Sequence, residues 1–425
     1  MVATLQRFIV EPFIAGGIFV FVLLGCATLV FFCKRLGGVF AQVVDPRSGK
    51  LGQVEGLRGI LALSVVAHHA YCWYFFTQTA LWGTRDSIVF ARLATFGVMQ
   101  FFFISGFLFW RKLMKKGGID LRDFYLARFV RLGPVYYVSV TVAILVGLSL
   151  TNFQLIVSTR DFLKSLVSWG LFAMGGQNAV NGADVERIIS GVVWTLGFEW
   201  CFYLALPFLG WFARHARRLV PLALICGAVW FICKHLNSTV IHNDTANAAV
   251  MWLRGFSRFM LMGFGGGILV ASVDAWLSSR VRLPIRTRSW IVAAMYGIYL
   301  LVPGFPGFQV ITWLCMLIGF AMVVQGSDLF GFLTSRSVRF LGVISYDLYL
   351  VHGIVYFLAW KLRGGVHPIS PLTYMLQTSA CLAVILVVAT LLHFAVERPT
   401  MIYSERIMRG KPDKRGIAPV VLPQA

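Results

Sequence analysis

Residues 57–77 read LRGILALSVVAHHAYCWYFFT, a run in which apolar and aromatic side chains dominate. The hydrocarbon core of a bilayer is about 30 Å thick, and about 20 apolar helical residues cross it. The stretch therefore predicts a transmembrane helix. Similar runs recur along the whole chain, so this segment is typical of the fold.

The composition of the chain agrees with that prediction. Of 425 residues, 58% are hydrophobic and 13% are charged, whereas soluble globular chains have about 45–50% apolar and about 25% charged residues. Eleven segments are predicted as spans: 8–32, 57–77, 88–110, 133–151, 190–212, 219–236, 256–273, 289–303, 307–325, 338–360 and 371–396. The expected fold is an all-α polytopic membrane protein with about eleven transmembrane helices.

Two segments differ from the other apolar runs. The first span has the alternative of a cleaved signal, since Leu23-Leu24-Gly25-Cys26 is similar to a lipoprotein cleavage box. Its apolar run continues to Phe32, which favours a retained helix because the apolar region of a signal peptide is shorter. The stretch 160–174 is apolar on one side only and is predicted as an interfacial helix.

Basic residues give the chain a formal net charge of +21, yet they form short clusters between apolar runs and no basic domain. This pattern indicates membrane topology and argues against a nucleic-acid partner. Most of the 38 lysines and arginines fall in alternate loops, which places the N-terminus outside and the C-terminus in the cytoplasm. The eight cysteines lie mostly in apolar runs without a C-x-x-C pair, so neither a disulfide framework nor a metal site is expected.

Arg58 and His69 form the first candidate site. They are eleven residues apart, which places them on one helical face and about 16 Å apart along the axis. His68 falls about 80° away from that face. An imidazole near the bilayer midplane takes up a proton near neutral pH and suits general-base chemistry. The alternative is that the histidines are hydrogen-bonded packing residues and Arg58 is an ordinary topology signal.

Glu199 is the second candidate, because ionisable residues inside a membrane are costly. Glu199 lies about 13 Å below the outer membrane surface, on a span that runs from outside to inside. His69 lies about 18 Å above the inner surface. Because the two distances sum to about the bilayer thickness, the two residues are predicted to lie at the same depth. Glu199 has three open roles: orienting an imidazole, holding a sugar hydroxyl or forming a structural ion pair.

Two further sets complete the candidates. Ser345, Tyr349 and His352 share one helical face and are predicted either to line a polar cavity or to make helix contacts. Arg128 and Arg131, one turn apart at the cytoplasmic start of a helix, suit a phosphorylated donor, since arginine binds phosphate in a bidentate way. Their alternative role is topological anchoring. The glycines of Gly263–Gly267 favour close helix packing over phosphate binding.

Taken in order, these motifs resemble the acyltransferase-3 family of membrane acyltransferases over about residues 51–400. The matching stretches are Glu55–Gly59 with His69, Gly97–Leu108, Arg128 with Arg131, Trp194–Leu196 with Glu199, Arg258–Met260 with Gly263, Ser345-Tyr346 with Tyr349 and His352, and Glu397–Pro399.

The resemblance implies ten transmembrane helices that move an acyl group, commonly acetyl, from cytosolic acyl-coenzyme A to a hydroxyl of a cell-surface glycan. It also implies that His69 is the essential catalytic residue and that Arg58 supports it. The chain departs from the family by an extra N-terminal helix. The extracytoplasmic hydrolase-like domain of some members is not expected here, and the resemblance then implies a stand-alone unit or a separate partner.

The expected organisation is therefore residues 1–50 with the extra helix and a cytoplasmic loop, an acyltransferase-like membrane domain at 51–400, and a basic cytoplasmic tail at 401–425. The predicted location is the plasma (inner) membrane. The alternative functions are a proton-coupled transporter, which also uses intramembrane ionisable residues, and an assembly protein. The inverted repeats or paired broken helices of many transporters are not evident in the sequence.

Overall fold

The computed structural model describes most of the chain beyond its first fifty residues. The described residues are 51–84, 87–116, 120–174, 179–213, 258–280, 282–302 and 308–409, with isolated helical positions at 25, 27, 31, 35 and 255. The chain divides into two compact units. The first comprises Met1–Gly97, Tyr125–Trp194 and Phe330–Ala425, and the second comprises Val98–Phe124 and Thr195–Leu329.

The described residues are mostly helical. The helices are α1 (Gly52–Thr79), α2 (Ile88–Lys116), α3 (Leu121–Ser149), α4 (Thr159–Gly170), α5 (Val185–Ile188), α6 (Trp194–Ala213), α7 (Gly265–Arg280), α8 (Ile285–Leu301), α9 (Phe308–Val324), α10 (Arg336–Val343), α11 (Ser345–Leu362), α12 (Pro371–Leu392) and α13 (Arg398–Arg409). Two π-helical turns, Arg258–Phe264 and His393–Glu397, precede α7 and α13. Strands β1 (Ala179–Val180) and β2 (Ala183–Asp184) form a small antiparallel pair with Ala179 opposite Asp184.

Length and hydropathy identify six membrane-crossing helices in the described part of the chain, or seven if a bent pair counts as one span. Two predicted spans, 8–32 and 219–236, lie outside the described residues apart from isolated positions. The predicted spans 289–303 and 307–325 correspond to α8 and α9. Each of these has 17 residues, so each is about 25 Å long, shorter than a bilayer core. The count of eleven spans is therefore not confirmed.

The predicted span 338–360 is broken. It consists of α10 and α11, which meet at Ile344 with a bend of 73°. The reason is tertiary packing, because α10 lies against the first turns of α1. A Cβ on Gly342 would lie 2.0 Å from the carbonyl oxygen of Glu55, and Arg339 forms a 2.9 Å ion pair with Glu55. These contacts hold α10 at an angle to α11.

Helix α3 begins earlier than the predicted span 133–151. It starts at Leu121 and continues through Pro134. Its 29 residues extend about 43 Å, which exceeds the bilayer core. Arg128 and Arg131 therefore lie within the helix, in the turns before the apolar part begins.

The predicted amphipathic helix at 160–174 is α4. Its cap is the side chain of Ser158, which accepts a hydrogen bond from the backbone N–H of Asp161. Leu163 and Val167 expose more than half of their surface, and Trp169 is buried. An exposed apolar stripe of this kind suits the membrane interface, where its placement stays a prediction.

In the second unit, α7 packs closely against part of α2. A Cβ on Gly267 would lie 2.1 Å from the carbonyl oxygen of Phe103, and one on Gly106 would lie 2.2 Å from that of Phe264. This close approach agrees with the packing role expected for the glycine-rich segment.

Candidate active site

A pair of histidines lies at the centre of the first unit. His69 comes from α1 and His352 from α11, and their nitrogens Nδ1 and Nε2 are 3.0 Å apart. His352 is fully buried and His69 is half-buried. The structure thus brings together two candidates that belong to separate sequence motifs.

The hydrogen bonds around this pair assign the tautomers. The Leu348 carbonyl only accepts, so His352 donates to it from Nδ1 over 3.1 Å and, in the neutral ring, keeps a lone pair on Nε2. His69 must then donate its Nδ1–H to that lone pair. The Nε2 of neutral His69 consequently carries a lone pair, which is the form that a general base needs.

His68 has both of its ring nitrogens engaged. Its Nδ1 donates to the Phe90 carbonyl over 2.8 Å, and its Nε2 lies 3.4 Å from the Cys72 thiol, which donates to it. The two neighbouring histidines therefore have different partners, as expected because consecutive residues lie about 100° apart around a helix. His68 is suited to packing, and the indole of Trp82 stacks on His69 at 6.5 Å.

Arg58 lies on the same continuous helix as His69. Since α1 runs unbroken from Gly52 to Thr79, the eleven-residue interval corresponds to about 16 Å. The half-buried guanidinium is therefore three turns away from the imidazole. Arg58 is therefore too far along the helix to contact His69, and its support of that residue stays a prediction.

The other residues of the α11 face have different surroundings. The Tyr349 hydroxyl donates to the Val192 carbonyl over 3.1 Å, and its ring centroid lies 6.2 Å from that of His352. Ser345 is buried at the start of α11, and its hydroxyl has no hydrogen-bond partner among the described residues. His352 is thus the member of the three that contacts His69.

Glu199 belongs to the second unit. Its Oε1 accepts hydrogen bonds from the hydroxyls of Ser105, at 3.4 Å, and Tyr203. These partners favour a carboxylate held by hydroxyl donors over the structural ion pair considered from the sequence. Glu199 and His69 belong to different units. Their common depth in the membrane therefore stays a prediction.

Arg131 is linked to a buried cluster that sequence reasoning missed. His393 Nδ1 lies 2.6 Å from Glu397 and 3.5 Å from Asp347, and Arg131 interacts electrostatically with Glu397. The sequence signal was present, because His393 and Glu397 are four residues apart at the end of an apolar run, where ionisable groups are rare. Arg128, one turn before Arg131, is half-buried.

Asp347, His393 and Glu397 offer ligand atoms within 4.8 Å of one another, close enough to hold a metal ion. A protonated His393 together with Arg131 would balance the two carboxylates without a metal. Buried charges are tolerated when they are paired in this way. The expectation of no metal therefore stays a prediction that the charge balance favours.

Comparison with known proteins identifies the family of the chain. The family described as the acyltransferase domain, acyltransferase-3, matches residues 51–394. The chain belongs to the acyltransferase-3 family. As a member, it is an acyltransferase, and its long apolar helices make it a multi-pass membrane protein.

Curated relatives are about a quarter to a third identical to the chain over the aligned parts. Acyltransferase MdmB of Streptomyces mycarofaciens is 26% identical over 84% of this chain and 93% of its own length. Nodulation protein 10 of Rhizobium leguminosarum bv. viciae is 31% identical over 46% of this chain and 54% of its own length. Exopolysaccharide production protein ExoZ of Rhizobium meliloti (strain 1021) is 26% identical over 60% and 74%. No solved structure matches the chain.

Proposed function

We propose that this acyltransferase moves an acyl group, commonly acetyl, from acyl-coenzyme A to a sugar hydroxyl at the outer surface of the plasma membrane. The observation that carries the proposal is the histidine pair. The Nδ1–H of His69 is directed at Nε2 of His352. This arrangement leaves a lone pair on Nε2 of His69. A base of this kind is what a weakly acidic hydroxyl needs before it attacks a thioester.

The transfer step balances in atoms and electrons. Nε2 of His69 takes the hydroxyl proton, and the oxygen forms a bond to the thioester carbonyl carbon. The carbon–sulfur bond then breaks, and the coenzyme A thiolate receives the proton from the imidazolium. The same lone pair also suits a second route, in which His69 itself carries the acyl group before passing it to the hydroxyl.

The donor side is proposed to lie at the cytoplasmic end of α3. Arg128 and Arg131 are one turn apart there, and an arginine guanidinium donates two parallel hydrogen bonds to phosphate oxygens. Arg58, on the first turns of α1, would guide the acyl end of the donor towards His69. The carbohydrate nature of the acceptor is supported by the name of one relative, which concerns exopolysaccharide production.

Release of free coenzyme A thiol from acetyl-coenzyme A by the purified protein, with surface glycans as acceptors, tests this proposal. The His69→Ala variant removes the base and is expected to lower turnover by about 10²–10⁴-fold while the protein still inserts. His68→Ala is the matched control, since its ring is engaged with Phe90 and Cys72, and is expected to keep most of the activity.

Near-normal turnover in His69→Ala would refute the assignment of the base. Equal losses in the two variants would contradict the different roles of the neighbouring histidines. Transport of an unmodified solute without thiol release would favour the proton-coupled transporter.

A further inference from the structure

A cavity of about 480 Å³ opens in the first unit, lined by the ends of α3 and α11 and by the β2–α5 segment. Its wall includes Asp184, Arg187, Phe357, Trp360 and Lys361. Small-molecule sites in proteins commonly have volumes of about 300–1,000 Å³. The cavity is therefore large enough for one sugar ring with its substituents.

Aromatic side chains connect this cavity to the histidine pair. The ring of Trp360 lies 5.6 Å from that of Trp73, Trp73 lies 5.1 Å from Trp82, and Trp82 stacks on His69 at 6.5 Å. Trp360 follows His352 by eight residues, about 12 Å along α11. The cavity thus lies beyond His352, at the end of the unit opposite Arg58.

The lining of the cavity suits a carbohydrate. Phe357 and Trp360 line the cavity, and the C–H face of a sugar ring packs on aromatic rings of this kind. Asp184 supplies carboxylate oxygens that accept hydrogen bonds from hydroxyls.

The charges of the cavity do not cancel. Arg187 pairs with Asp184 at 2.9 Å and also lies over the ring of Phe76 at 5.0 Å. Lys361 is exposed and forms no ion pair with any residue that the structure describes. One positive charge is therefore left over at the rim, and it attracts a negative group on a ligand.

We propose that this cavity binds the acceptor, and that the acceptor is a sugar unit that carries a carboxylate. Trp360 holds the ring, Asp184 orients its hydroxyls and Lys361 binds the carboxylate. The inference rests on the proposed function for its biological meaning. Binding of the sugar without a donor can nevertheless be measured independently of transfer.

The test is saturation-transfer NMR of methyl β-D-glucuronide and methyl β-D-glucoside with the full chain in lipid nanodiscs and no acyl donor. The wild type is expected to bind both and to prefer the glucuronide by about two- to fivefold, the size of an exposed ion pair. Lys361→Gln should remove this preference, and Trp360→Leu should remove binding of both sugars. Lys164→Gln, an exposed lysine on α4 of the same unit, is the matched control and should bind as the wild type does.

Two results would overturn the proposal: binding of neither glycoside by the wild type, or an intact preference in Lys361→Gln. The sugar preference of Lys361→Gln can be measured even if Trp360→Leu fails to fold, because Lys361 is exposed and its substitution is not expected to disturb the fold. Failure of the proposed function has a different signature. In that case the glucuronide binds with the stated preference, but acetyl-coenzyme A releases no thiol.

Discussion

His352 acts on the reaction through the orientation of His69. Its Nε2 is the acceptor that fixes the Nδ1–H of His69, and its own ring is fixed by the Leu348 carbonyl. His352→Leu removes this acceptor and is expected to lower kcat by about 10²-fold or more, as when the orienting member of a catalytic triad is lost. The KM for acetyl-coenzyme A should stay unchanged, because His352 is not placed on the donor side.

A conservative variant separates positioning from mere packing. The amide oxygen of His352→Gln can accept the same hydrogen bond, so this variant should recover part of the activity that His352→Leu loses. His367→Gln, an exposed loop histidine, is the control without effect. Steady-state thiol release measures all three. Equal activity of the Leu and Gln variants would show that His352 only fills space.

The separate faces of His68 and His69 could be predicted from helical periodicity, because both lie on one helix. The contact of His69 with His352 could not, since 283 residues separate them in the sequence and only tertiary packing joins α1 to α11. The cluster around His393 was missed for a similar reason: Asp347 comes from a distant helix. Helical periodicity predicts the face on which a side chain lies, but it does not predict which residue of another helix contacts it.

Gly342 allows α10 to pack directly on α1. A Cβ at this position would come within 2.0 Å of the Glu55 carbonyl oxygen, and the backbone cannot yield without displacing α10. Gly342→Ala is therefore expected to destabilise the protein by about 1–3 kcal/mol, the usual cost of overpacking. The apparent melting temperature of the purified protein in detergent is the measurement.

Gly297→Ala in α8 is the matched control for this effect. Nothing lies within 4 Å of the position that a Cβ would take there, and alanine favours a helix interior over glycine by about 0.5–1 kcal/mol. This variant should melt at the wild-type temperature or slightly above it. If Gly342→Ala melts together with Gly297→Ala, α10 does not depend on its close contact with α1.

Apolar runs predicted the helices of the described part of the chain well, because a helix in contact with lipid must consist mainly of apolar residues. They did not predict the break between α10 and α11, since the segment 338–360 reads as one apolar helix. The bend depends on Gly342 and on the pair of Arg339 with Glu55, which are contacts between distant segments. Arg339 is buried in that ion pair, although a basic residue next to an apolar run is expected to be a topology signal.

At the scale of the whole molecule, the proposed chemistry requires that donor and acceptor reach His69 from opposite sides of the membrane. The basic residues of α3 and Arg58 lie towards one end of the first unit, and the cavity at Trp360 lies towards the other. This polarity matches the predicted orientation, in which the loop after α11 is outside and the loop before α10 is cytoplasmic. The bent pair must then cross the bilayer as one span.

Cysteine labelling of intact cells tests this arrangement. His367→Cys places an exposed thiol after α11, and Thr334→Cys places one before α10. A membrane-impermeant maleimide is expected to label the first variant directly and the second only after permeabilisation, with the wild type as the background. A fluorescent protein fused after residue 425 should fluoresce, because the C-terminus is predicted to be cytoplasmic. Labelling of both cysteines from one side would make the pair a re-entrant loop, and the acceptor cavity would then open on the same side as the donor.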